Sequence, residues 1–101
     1  MDLEYFKNQI CDELHGAKMY IKNAIEIKAM APDWGPTLVE MSAAELSHAT
    51  NLYKMAEQYY AKITSQYMEP PKYLKDMWDY ITNEYTEKTA KVKYMHTLFN
   101  K

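Results

Sequence analysis

The sequence predicts an all-α fold: a long antiparallel helical hairpin, then a third helix, completed by self-association. Three observations carry this. The 101 residues include only two Gly and four Pro, and all but Gly16 lie in two short stretches, 32–36 and 70–71. The runs between those breaks are unpunctuated, whereas a β-sandwich or barrel needs a turn about every 8–12 residues. Apolar residues make up 48% of the chain, which supports a packed core and argues against disorder, and within the runs they recur at helical spacing.

The helices are taken in order, with bounds at about 2–30, 34–68 and 71–99 in one domain spanning 1–101. Pro32 pushes Ala31 out of the helical region and ends the first helix. The second starts either after Asp33 as N-cap, with Pro36 in its first turn, or at Thr37, where Glu40 three residues on would complete a capping box. Glu69-Pro70-Pro71 ends the second helix, and Pro71 suits the first position of the third. Helices of about 30 residues are about 45 Å long, a length suited to a bundle. The second helix carries two apolar stripes. One is Leu38, Met41, Leu52, Met55 and Tyr59; the other is Val39, Ala43, Leu46, Tyr53, Ala56, Tyr60 and Ile63. That is wider than one partner helix covers, so at least a homodimer, or a higher homo-oligomer, is expected.

Composition narrows the partners. Twelve Lys against 14 Asp plus Glu leave a net charge of −2. There is no Arg to fork onto phosphates, so nucleic-acid binding is not expected. No run reaches the length of a membrane span, and Met1-Asp2-Leu3-Glu4-Tyr5-Phe6 is no signal peptide. One cysteine, Cys11, cannot form an internal disulfide, which fits a cytoplasmic home.

Counting alternately three and four along the first helix gives Leu3, Phe6, Ile10, Glu13, Ala17, Tyr20, Ala24, Ile27 and Ala31; only Glu13 is charged. The same count on the second gives Leu38, Met41, Glu45, His48, Leu52, Met55 and Tyr59, again polar at the centre. A carboxylate in a core seam costs several kcal/mol unless paired, protonated or bound to a metal. In a hairpin turning near residue 31, Glu13 and the Glu45–His48 pair sit at nearly one level, offset by a few Å at about 1.5 Å per residue. The i, i+3 spacing sets Glu45 and His48 on one face. Glu-x-x-His plus a Glu from the neighbouring helix is half of a di-iron carboxylate site, and a twofold dimer would supply the full set.

Glu13-x6-Tyr20, followed by Glu45-x-x-His48-Ala49, resembles the first helical pair of rubrerythrin-type ferritin-like domains. The halved, dimer-completed arrangement is similar to that of the encapsulated ferritins. The resemblance covers about residues 6–60. It implies a ferritin-like half-bundle, Glu13, Glu45 and His48 as iron ligands, Tyr20 beside the metal, and ferroxidase chemistry in which dioxygen or peroxide oxidises two Fe(II). The C-terminal run Tyr94–Lys101 does not resemble that family's targeting extension, which argues against packaging in a protein shell. No rubredoxin-like Cys-x-x-Cys is present, and the third helix carries no second Glu-x-x-His, so a site within a single chain is not expected. The donor set itself suits Fe, Mn or Zn.

Two metal-free readings stand beside this. The trio could be a buried network that sets helix register in an assembly module, or the second helix could be rotated so that Glu45 faces water. A mononuclear or zinc structural site is a third alternative. Asp12 and His15 read as solvated surface, Glu40 as a cap, and Glu84 and Glu87 as surface ion-pair partners of Lys88 and Lys91. Cys11 reads as buried and inert, and His96 as packed or favoured by the helix dipole.

Overall fold

The structure, a computed structural model, describes residues 1–101. It is all-helical, with α1 at Leu3–Ile27, α2 at Trp34–Thr64, α3 at Lys72–Phe99 and no strand. The molecule is a rod of 56 × 19 × 15 Å. No helix is long and apolar enough to cross a membrane.

Local chemistry fixes the helix ends, and it shortens two helices relative to expectation. Asp2 caps α1, its carboxylate accepting from the Tyr5 N–H at 2.8 Å, an interaction worth about 1 kcal/mol. α1 stops at Ile27 rather than near 30, because the chain tightens ahead of Pro32. Met30 N–H and Ala31 N–H both donate to the Ile27 carbonyl, at 3.0 and 2.8 Å. α2 takes the earlier of its two candidate starts. Asp33 is already helical in backbone and makes no side-chain cap, so neither capping scheme operates; Pro36 falls in the first turn, where its missing N–H costs nothing. α2 ends at Thr64 rather than near 68. There the Thr64 hydroxyl donates to the Tyr60 carbonyl at 2.6 Å, and the Ser65 hydroxyl to that of Lys62 at 2.9 Å, so side chains take over acceptors near the helix end. Pro71 is the residue before α3 rather than its first.

α1 is the central element. Its buried residues are Leu3, Phe6, Ile10, Leu14, Ala17, Ile21 and Ala24. Leu14 and Ile21 therefore occupy the seam where the spacing count put Glu13 and Tyr20. α1 packs against both other helices, so its apolar stripe centres between them and leaves Glu13 and Tyr20 half-buried on a shoulder. A side chain such as Phe6 or Ile10, 2% and 1% exposed, contributes about 1.5–3 kcal/mol by burial.

α2 departs further from expectation. Its buried residues are Gly35, Ser42, Ala49 and Ala56, small side chains one heptad apart. Ala56 belongs to the second apolar stripe read from the sequence, Gly35, Ser42 and Ala49 belong to neither, and the large residues of both stripes become flanks. Leu38, Glu45, Leu52 and Tyr59 are half-buried, as are Leu46, Tyr53, Tyr60 and Ile63 of the other stripe, while Met41, His48 and Met55 lie open. Small residues let α2 approach α1 closely, so large side chains flank the contact instead of filling it. The start of α1 meets the end of α2, with the Phe6 and Tyr59 rings 5.7 Å apart. The end of α1 meets the start of α2, where Leu38 and Val39 pack with Ala17, Ile21 and Ala24.

α3 is held by aromatic stacking, by the Thr50–Tyr85 and Tyr53–Thr82 hydroxyl hydrogen bonds at 2.9 and 3.2 Å, and by a polar junction at Ser42. Tyr53 stacks on Tyr85 at 4.2 Å and on Trp78 at 5.4 Å, and Tyr60 stacks on Trp78 at 5.1 Å. Ser42 Oγ donates to the Ala17 carbonyl at 2.7 Å and lies 2.9 Å from His96 Nε2. Burial holds His96 below the usual histidine pKa; with the Ser42 hydroxyl proton given to the Ala17 carbonyl, the His96 Nε2–H is the donor to Ser42. This one serine ties three helices together. Gly35 lets Phe99 close on the start of α2, since a Cβ there would lie 3.0 Å from the ring.

Candidate metal centre

Glu13 projects from α1, and Glu45 and His48 project from α2 one turn apart. Each offers a ligand atom, and these atoms lie within 4.8 Å of one another. Glu13 Oε2 is 3.4 Å from His48 Nδ1. That oxygen is buried and accepts no hydrogen bond. The side chain of His48 is 59% exposed and that of Glu13 26%, so the group forms a half-open cup on the surface of the α1–α2 pair.

The electrostatics are those of crowded carboxyl groups. The adjacent Glu13 carboxylate, which a protonated Glu45 can hydrogen-bond, raises the Glu45 pKa above the usual range. Burial and repulsion from Glu13 add to the shift, and His48 opposes it. Without a cation, Glu45 therefore holds its proton more tightly than an ordinary carboxyl group. A cation between the carboxylates would release that proton and partner the orphaned Glu13 oxygen.

The donors fit a borderline metal such as iron, manganese or zinc. Bonds of about 2.1 Å set neighbouring ligand atoms about 3.0–3.4 Å apart. The Glu13–His48 separation is already in that range, and the third atom would have to close from at most 4.8 Å.

Gly16, one turn beyond Glu13, makes room for this arrangement. A Cβ there would lie 3.3 Å from Glu45 Oε2. The sequence reading gave Gly16 no role, although a signal was present. It is the one glycine inside the first long helical run, where glycine costs about 1 kcal/mol against alanine.

The remaining candidates fall elsewhere. Tyr20 is half-buried on the Glu13 shoulder and takes no part in the side-chain hydrogen bonds between helices, which run from Ser42, Thr50 and Tyr53. Asp12, His15 and Glu40 are exposed and outside the trio. The expected ion pairs of Glu84 and Glu87 with Lys88 and Lys91 are not made; the close acid–base contacts present are Glu13–His48 and Lys72–Asp76. Cys11 is half-buried, and burial pushes its thiol pKa up.

Comparison with known proteins returned nothing: no family model, curated protein or solved structure matches this chain.

Proposed function

We propose that two copies of this chain pair through the open face of an antiparallel α1–α2 hairpin. The pair builds a ferritin-like four-helix bundle around a di-iron carboxylate centre that oxidises Fe(II) to Fe(III). The observation that carries this reading is the buried, unpartnered Glu13 oxygen facing a second carboxyl group and an imidazole. One chain supplies three donors, and a twofold axis through the open face doubles them to the Glu and Glu-x-x-His complement of a di-metal bundle.

In this reading Glu13 and Glu45 neutralise the bound cations, and Glu45 gives up its proton as they enter. His48 would contribute a nitrogen lone pair. Tyr20 supports the centre from the same flank of α1. Bound iron supplies electrons to dioxygen or peroxide. The exposed Met41 and Met55, 39% and 48% accessible, become bundle interior on either side of His48. The sequence resemblance to ferritin-like proteins points the same way.

The test is aerobic Fe(II) oxidation by the purified protein beside a Glu45→Ala, His48→Ala variant, with mass in solution measured for both. The expected result is a wild-type dimer that oxidises iron faster than buffer and a variant that does not. Equal rates would refute the reading.

A second reading is favoured by the 3.4 Å approach of Glu13 to His48: the trio satisfies itself and sets register in a metal-free assembly module. Thermal melts separate the two. A metal site gains about 2.7 kcal/mol at a hundredfold excess of Fe(II), Mn(II) or Zn(II) over Kd, and the module gains nothing.

A further inference from the structure

A cleft of about 360 Å³ opens between α1 and α3 and shares no residue with the Glu13–Glu45–His48 group. One wall is cationic: Lys18 from α1 faces Lys88 and Lys91 from α3, with His15 beside them. The floor is apolar, formed by Leu14 and by Val92, which is 1% exposed. Tyr80, Glu84 and Cys11 line the remainder.

None of the three lysines has a carboxylate within ion-pair distance; the ion pairs of this chain lie elsewhere. Glu84 precedes Lys88 by four residues, the favoured spacing for a helix ion pair, yet the pair is not made. Like charges are left facing each other across the gap. The Lys91 ammonium is the chief cause holding Lys18 below the usual lysine pKa, with Lys88 and Lys22 adding to it. Three ammonium groups converge here against one carboxylate, Glu84, which pairs with none of them; that excess of positive charge forms a receptor for an anion, and lysine commonly binds phosphate as a point charge. The cleft is larger than a bare phosphate and falls within the usual volume range of small-molecule sites, about 300–1,000 Å³. Its apolar floor offers nothing to a free anion and suits a flat organic body.

We propose that the α1–α3 cleft binds a small organic phosphate, its phosphate held by Lys18, Lys88 and Lys91 and its organic body laid on Leu14 and Val92. This site is independent of the metal reading and stands or falls alone.

The test is NMR titration of the ¹⁵N-labelled full-length chain with phenyl phosphate, inorganic phosphate and phenol. The expected result is saturable shifts at Leu14, Lys18, Lys91 and Val92 with phenyl phosphate, and weaker binding of the other two probes. A Lys18→Met, Lys91→Met variant that keeps its helical circular dichroism should bind phenyl phosphate more weakly by at least about tenfold, the weight of one charge-assisted hydrogen bond. Lys93→Met, outside the cleft, should bind as wild type. Shifts scattered over every lysine, unchanged affinity in the double variant, or equal binding of phenyl phosphate and inorganic phosphate would each overturn the proposal.

Discussion

Replacing Gly16 by alanine sets helix stability against the metal centre, and the two effects have opposite signs. In the helix interior, Gly→Ala is favourable by about 0.5–1 kcal/mol. The new Cβ would lie 3.3 Å from Glu45 Oε2, so the carboxylate must give by a few tenths of an ångström. Glu45 is half-buried and the contact involves the far end of its side chain, so that shift is cheap. The metal-free variant should melt above wild type, at about 4–8 °C per kcal/mol for a domain of this size. Metal binding should move the other way, because the displaced carboxylate closes less well on Glu13 and His48. A tenfold loss of affinity removes about 1.4 kcal/mol of metal stabilisation, enough to reverse the order of the two proteins at saturating metal. The assay is a pair of thermal melts for each protein, with chelator and with excess Mn(II). An equal metal-induced rise in both would refute the role assigned to Gly16. A metal-free variant less stable than wild type would show that Glu45 cannot yield.

Other substitutions test the packing and the polar junction. Ala49→Leu adds bulk where α2 touches its neighbours and the residue is fully buried; it should cost about 1–3 kcal/mol in urea denaturation, whereas Met41→Leu on the open face should stay within about 0.5 kcal/mol. His96 has a folded pKa below the 6.5 of the free side chain, so between the two values the unfolded chain binds more protons. Its contribution is complete above about pH 6.5 and is lost as pH falls toward the folded value. Urea midpoints at about pH 7.5 and about pH 5 should therefore separate more in wild type than in His96→Gln, which keeps a donor for Ser42 but does not titrate.

The three helices are legible because Pro32, Pro36, Pro70 and Pro71 act through the backbone alone and need no knowledge of neighbours. The seam is less so. A count of large apolar residues sees Leu38, Met41 and Met55 but passes over Gly35, Ser42 and Ala49, whose contribution to packing is their smallness. Their repeat of seven was in the sequence, but it is evident only to a count that weighs small residues as packing residues. On α1 the cause is different: the helix packs against both others, so its stripe centres on Leu14 and Ile21 and leaves Glu13 and Tyr20 on a shoulder. The grouping of Glu13, Glu45 and His48 could be worked out because it depends only on axial rise and a turn near residue 31, and a rotation of the helix by part of a turn leaves the axial level unchanged. The Ser42–His96 junction could not, because it depends on where α3 docks, and nothing local to either residue specifies that.

The stacked series Tyr85, Tyr53, Trp78 and Tyr60 also gives the molecule an intrinsic optical reporter. Trp78 sits between two phenol rings at the α2–α3 junction, while Trp34, 67% exposed, projects into water near the opposite end of the rod. Separation of α3 from α1 and α2 should abolish the near-ultraviolet dichroism of the stacked rings and also release Phe99 from the start of α2, beside Trp34. A Trp34→Phe protein, whose one remaining tryptophan is Trp78, therefore reports departure of the third helix without any attached dye.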